Sequence, residues 1–256
     1  MKKIITIIMM SALIAGPASA QQDSMYVHLI SGMVVKYAIS DIDSIIFYAG
    51  GGGNTITDYD GNVYTIVEIG SQSWLGQNLK TTHYNDGTPI PLQTTALIWD
   101  TLSTNAYCWY DNDISNKEPY GALYNWYVGN SAVNGGKNPC PAGWHVPDDD
   151  EWTALTDYLG GASVSGGKLK EAGTAHWFTP NSGATNETGY TALPGGFRGT
   201  GGAFCELGKK GMWWTTYGHP TFTSSGYYRS MSFSSPGVYR GYMGKSLGMS
   251  IRCIKD

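Results

Sequence analysis

Short runs of alternating apolar and polar positions, separated by glycine, serine and asparagine, dominate the pattern of this chain. Residues 26–30 and 33–39 read as strands joined by Ser31-Gly32 into a hairpin, with a third strand over 44–48 after the polar corner Ser40-Asp41-Ile42-Asp43. Three strands over so short a stretch are marginal alone, so this arm is expected to pack on something larger. Four successive glycines, Gly50 to Gly53, then mark a flexible linker. No Lys-Ser/Thr follows them, so a phosphate-binding loop is the poorer reading. The expected organisation is an arm over residues 21–48, a linker over 49–57 and one domain over 58–256.

Inside that domain, Asp60-Gly61 is a hairpin turn signal between Thr55-Ile56 and residues 63–67, and residues 73–79 give a further strand carrying Trp74. Two helices are expected. Over 120–128, Leu123, Trp126 and Tyr127 fall at i, i+3, i+4 spacing. Over 148–159, Trp152, Leu155 and Leu159 form an apolar stripe, Asp148 and Glu151 have capping-box spacing, and Gly160-Gly161 stops the helix. Nearer the C-terminus, Tyr227, Arg229, Met231 and Phe233 alternate with Tyr228, Ser230 and Ser232. Met249, Ile251 and Cys253 alternate likewise with Ser250 and Arg252, so both stretches read as strands. Neighbours on a strand point to opposite faces, so one of Trp213 and Trp214 is expected to be buried, not both. Two helices, a long Gly/Asn-rich middle and closing antiparallel strands make an α+β domain.

Composition narrows the class. Only 14% of the 256 residues are charged, against about 25% in average soluble domains, while Trp and Tyr number 9 and 18. Few charges with many aromatics are the opposite of a disordered chain. Sixteen basic against 20 acidic residues leave no basic footprint for nucleic acid. Lys2 and Lys3, the apolar run over 4–15 and Ala18-Ser19-Ala20 read as a signal peptide cleaved after Ala20. That run is too short for a transmembrane segment, which takes about 20 residues. A periplasmic, cell-surface or extracellular location is expected. Export makes disulfides available to Cys108, Cys140, Cys205 and Cys253, whose three possible connectivities the spacing does not separate. No CxxC pair or Cys/His cluster is present to suggest structural zinc.

Several stretches, in order, resemble the Fibrobacter succinogenes major paralogous domain family: Asp58-Tyr-Asp-Gly-Asn-Val-Tyr64, Gly76-Gln-Asn-Leu-Lys80 and Tyr120-Gly-Ala-Leu-Tyr-Asn-Trp126. Cys140-Pro-Ala-Gly-Trp-His-Val-Pro147, Glu151-Trp152, Ala192-Leu-Pro-Gly-Gly-Phe-Arg198, Trp213-Trp214 and Ser250-Ile-Arg-Cys253 continue it. Residues 26–48 look like a short N-terminal β module of exported proteins from gut Bacteroidota. More distantly, Trp144 to Trp152 and the final pair Gly248 and Arg252 are similar to the formylglycine-generating (sulfatase-modifying) family. That likeness implies a C-type-lectin-like fold: a twisted antiparallel sheet, two main helices and long loops. In such a core the segment before the main helix meets the last strand, which implies a Cys140–Cys253 bridge and leaves Cys108 with Cys205.

The candidate chemistry is sparse. Formylglycine enzymes use a close pair of cysteines late in the chain, and residues 227–248 contain none. Glu118-Pro119-Tyr120 and Trp214-Thr215-Thr216 do not supply the calcium and sugar ligands of C-type lectins. Asp58, Asp60 and Asn62 start like a calcium loop, but no Glu closes it at the twelfth position, so a turn is the better reading. Asp111 and Asp113, with Asn112 and Asn116, are the candidate oxygen ligands for a structural Ca²⁺, beside the plainer reading of a solvated loop. Asp148, Asp149 and Asp150 match the positive end of a helix dipole. His145, His176 and His219 stand apart in the sequence, and no nucleophile is spaced with its base.

Aromatics remain. Trp213, Trp214, Tyr217, Tyr227, Tyr228, Tyr239 and Tyr242 crowd the C-terminal part, interleaved with Arg229 and Arg240. Rings stack on sugars and arginines bridge hydroxyls, so Trp214, Tyr217, Tyr228, Arg229 and Arg240 are the expected ligand-binding residues. Tyr228, on the strand face it shares with Ser230 and Ser232, is expected to be more exposed than Tyr227. The expected function is an exported, non-catalytic binding or adhesion module for a glycan or surface protein, with no cofactor required. Two alternatives stand beside it: an oxidase relative with an altered cysteine site, and a surface component assembling through its β arm.

Overall fold

The computed structural model describes residues 24–28, 34–38 and 54–256, which fall into two compact units divided after Asn54. In the first, Ser24–His28 pairs antiparallel with Val34–Ala38, Ser24 opposite Ala38 and His28 opposite Val34, as the hairpin reading predicts. The leader expected over 1–20, the turn expected at Ser31-Gly32, the strand expected over 44–48 and the linker expected at Gly50 to Gly53 lie outside the described residues.

The second unit is α+β, with antiparallel strand pairs and short helices. Its five-stranded sheet has the order Thr55–Thr57, Val63–Ile69, Gln72–Leu75, Ile254–Lys255, Trp144–His145. The last strand of the chain therefore lies between an early strand and one from the middle. Asp60-Gly61 makes the first turn: Gly61 has φ +82°, and Asp58 accepts hydrogen bonds from Asn62 N (2.9 Å) and Tyr64 Oη (2.6 Å). A second sheet is the meander Lys210–Gly218, Ser225–Ser232, Val238–Gly244.

The main helix, Asp149–Tyr158, forms where the stripe and caps place it. Asp148 accepts from Glu151 N and Glu151 accepts from Asp148 N, both at 2.8 Å, which satisfies two otherwise orphaned amides. Gly160 and Gly161, at φ +98° and +101°, stop it. Its buried face brings Trp152 to 5.1 Å from Trp74 and 6.1 Å from Trp213, ring centroid to centroid.

Three expectations fail, for one reason. The helix expected over 120–128 is broken: Lys117–Tyr120 and Trp126–Gly129 are single turns, and Leu123–Tyr124 is a strand paired with Tyr107–Cys108. Gly121, at φ +75° with Leu79 O only 2.7 Å from where a Cβ would sit, turns the chain out of the helix. Trp213 and Trp214 are both fully buried, not one of them. Over 249–253 only Met249 and Ser250 make bridges, isolated ones and not a strand, and Ser250 and Arg252 are as buried as Met249 and Ile251. All three segments are covered on every side, so periodicity carries no inside or outside there.

Burial extends to cations. Arg252 donates to Asn78 Oδ1 from Nε (3.2 Å) and Nη2 (2.7 Å) and to Tyr190 O, with its guanidinium 4.1 Å from the Tyr190 ring centroid. Arg198 donates to Gly202 O, Gln93 O and Thr94 O and stacks on Trp99. Lys170 Nζ donates to Ser182 O, Ser232 O and Ser235 O at 2.8–3.0 Å. All three residues are at most 1% exposed, and none has a carboxylate partner among the described residues.

Cys140 and Cys253 form the expected disulfide, across 113 residues of chain. The pairing of Cys108 with Cys205 is corrected: both are free thiols. Phe204 packs into the cluster that holds Cys108, and alternation along Phe204–Cys205 turns the Cys205 side chain the other way.

Two thiols should therefore titrate when the unreduced protein is denatured, and peptide mapping should recover the Cys140–Cys253 link. Zero or four thiols would contradict this arrangement. Replacing both bridged cysteines by alanine should cost about 4–5 kcal/mol of unfolding free energy in the chain-entropy view of so long a loop, read by urea denaturation.

Candidate functional site

The meander places every residue expected to bind. Trp214 lies opposite Tyr228, Met212 opposite Ser230, and Arg229 opposite Arg240. Side chains opposite each other share a face. Met212, Trp214, Tyr228, Ser230 and Tyr239 thus lie on one side of the sheet, and Trp213, Tyr227, Arg229, Arg240 and Tyr242 on the other.

On the helix side, Asp149 at the start of the main helix receives Arg229 Nη2 at 2.8 Å and Arg240 Nε at 2.7 Å. Arg229 also donates to Asp149 O and Thr153 Oγ1 and is buried, so it clamps helix to sheet rather than meeting a ligand. Arg240 remains near the surface, its guanidinium 3.9 Å from the Tyr227 ring centroid. Beyond it His219, Phe222, Tyr227 and Tyr242 touch one another: His219 to Tyr242 is 4.3 Å, and Phe222 to Tyr242 is 5.5 Å with the rings 17° from parallel. Phe222 is 53% and Tyr242 47% exposed, and Tyr217 stands at the surface near Asp150.

On the opposite side, Trp214 donates Nε1 to Tyr124 O at 2.9 Å and packs beneath Tyr228. Both are core, which corrects their expected availability. Tyr228 is also more buried than Tyr227, the reverse of the expectation, because its ring folds over Gly241 and against Trp214 and Tyr239. Its face is nevertheless open at one place. A cleft of about 570 Å³ is lined by Tyr228, Ser230, Met212, Met243, Phe197 and Lys210. Of the five expected binding residues, Tyr217 and Arg240 lie at the surface, Tyr228 borders a cleft, and Trp214 and Arg229 are interior.

The oxygen-rich loops serve the backbone. Asp113 caps Ser115 N at 2.9 Å, Asp111 sits in a left-handed turn at φ +54°, and Asp60 binds Thr82 and His83. No group of three or more His, Cys, Asp or Glu side chains among the described residues is placed to hold a metal ion. Burial pushes the Cys108 thiol up to about 12, so it carries no thiolate at neutral pH.

The histidines are partnered, not isolated. His176 bonds Glu171, and His145 lies between Glu151 (Nε2, 2.8 Å) and Asp256 (Nδ1, 2.6 Å). The hydrogen bond to Glu151, aided by Asp256 and opposed by burial, raises His145 from 6.5 to about 9. A raised folded-state value means that its stabilisation is complete below about pH 6.5 and is lost as pH rises through about 9. His145 is partly exposed, so solvent screens the effect. Between pH 7 and pH 9.5 the wild type should lose melting temperature relative to His145→Gln. Equal slopes for the two proteins would contradict the assignment.

Comparison with known proteins adds the family. The model of the Fibrobacter succinogenes major domain matches residues 67–255. No curated protein and no solved structure matches the chain. The match spans most of the chain and runs from the Val63–Ile69 strand to the Ile254–Lys255 strand. The chain belongs to the Fibrobacter succinogenes major domain family.

Proposed function

We propose that this protein is an exported, non-catalytic binding module that meets a glycan through the aromatic cluster of His219, Phe222, Tyr227 and Tyr242, with Tyr217 and Arg240 at its margin. The observation that carries this reading is the exposure of Phe222 and Tyr242, two large rings held in fixed contact where the domain itself does not cover them. An apolar ring face stacks on the C–H face of a sugar, and Arg240 and Asp150 stand nearby to meet hydroxyls. Preorganised rings lose little conformational entropy on binding, which favours their use as contacts.

Export belongs to the same reading. The Cys140–Cys253 bridge fits an oxidising compartment. No helix among the described residues is long and apolar enough to cross a membrane. We also read the domain as C-type-lectin-like. In support, its early and last strands share one sheet, a second antiparallel sheet follows a single main helix, and long loops join them.

The test is a glycan array probed with the mature protein and with the Phe222→Ala, Tyr242→Ala double variant. The wild type should retain a defined subset of glycans. The variant should lose at least about tenfold in affinity while its melting temperature stays within a few degrees, since both rings are half exposed. Undiminished binding by the variant, or no glycan retained by the wild type, would refute the proposal.

A further inference from the structure

A second site lies on the other face of the meander, away from the aromatic cluster. Its cleft of about 570 Å³ falls within the range of small-ligand sites, about 300–1,000 Å³. Met212, Met243 and Phe197 give it an apolar floor, and Tyr239, 63% exposed, stands at its rim. The Tyr228 hydroxyl, the Ser230 hydroxyl and the Lys210 ammonium in the lining have no hydrogen-bond or ion-pair partner among the described residues, and the exposed Ser163 and Tyr239 hydroxyls share that state at the rim. By contrast, the buried ammonium of Lys170, which reaches Ser232 O of the same sheet, has three carbonyls on it. Lys210 is the cleft's one charged side chain among the described residues, so the site complements a single negative charge.

From this we infer that the cleft binds a carboxylate-bearing sugar, a hexuronic acid or a short chain ending in one. Lys210 meets the carboxylate, the sugar's C–H face lies on the apolar floor and against Tyr239, and its hydroxyls meet Tyr228 Oη and Ser230 Oγ. A fatty acid would satisfy Lys210 and the methionines. Its alkyl chain, however, would strip water from the Tyr228 and Ser230 hydroxyls and return no hydrogen bond, at the desolvation cost of each group. A neutral hexose would leave the ammonium without its counter-charge. The acidic sugar answers all three groups together.

The test is calorimetric titration of the mature protein with galacturonate and glucuronate, as monomers and short oligomers, against galactose, glucose and octanoate. Hexuronate should bind, with neutral hexoses at least tenfold weaker. Lys210→Gln should weaken hexuronate at least tenfold and leave the weak neutral-hexose response unchanged; Ser230→Ala should weaken both. The Phe222→Ala, Tyr242→Ala variant should bind hexuronate like the wild type, which separates this site from the aromatic cluster. Lack of hexuronate binding, equal binding of hexose or octanoate, or an unchanged titration for Lys210→Gln in a protein that melts like wild type would overturn the inference.

Discussion

The side chain of Asn78 is the point on which the domain closes. Its oxygen receives Trp213 Nε1 (2.9 Å) and both Nε and Nη2 of Arg252, while its amide nitrogen donates to Tyr120 O (2.9 Å) and Ser250 Oγ (3.2 Å). One amide thus joins an early loop, the middle of the chain, the meander and the last segment. The partners lie between 42 and 174 residues away in sequence, so none of these bonds forms until the whole domain has assembled. Arg252 makes the requirement stringent. It is buried with no carboxylate partner among the described residues, and burial holds its guanidinium down at about 10, so it depends on neutral oxygens placed to receive it. An unmet charge in that position costs several kcal/mol, about 3–5 when one partner is removed.

Arg198 and Lys170 repeat the solution with backbone carbonyls in the place of Asn78. Carbonyls can be fixed where a loop needs them, and a cation that gathers three of them pins three points of irregular chain at once. A domain with short strands and long loops has few ladder bonds to do this, and buried cations take over part of the task. The stretches that carry the family resemblance contain these groups: Asn78 in Gly76–Lys80, Trp213, Arg198 at the end of 192–198, and Arg252 beside the bridged Cys253. Their chemistry is that of a scaffold. The exposed rings of Phe222 and Tyr242 and the cleft's Lys210 fall outside those motifs, whereas Phe197 of the cleft lies within one.

This division also explains what could be read from the residues alone. The Asp60-Gly61 turn and the capped helix at Asp148 are local features whose causes sit within a few residues, and both form where the pattern puts them. The Cys140–Cys253 bridge followed from the family likeness and not from spacing. Residues 120–128, Trp213-Trp214 and 249–253 defeat periodicity because neighbours cover them from all sides. Arg229 looked free because nothing near it in sequence is acidic; its partner Asp149 is 80 residues away. His145 looked isolated because no metal-ligand or nucleophile spacing accompanies it, although Glu151, six residues on, could have been noticed as within reach. The cleft depends on which face of each meander strand is covered, and alternation alone does not say which.

A double-mutant cycle on Asn78 and Arg252 tests the central claim most directly. Unfolding free energies of Asn78→Ala, Arg252→Met and the double variant would be measured by urea denaturation. If the two side chains form one buried unit, each single change costs about 3–5 kcal/mol. The double change then costs less than their sum by at least about 2 kcal/mol, with unfolding still a single transition. Additive costs, or single losses below about 1 kcal/mol, would show that the domain does not close on this contact.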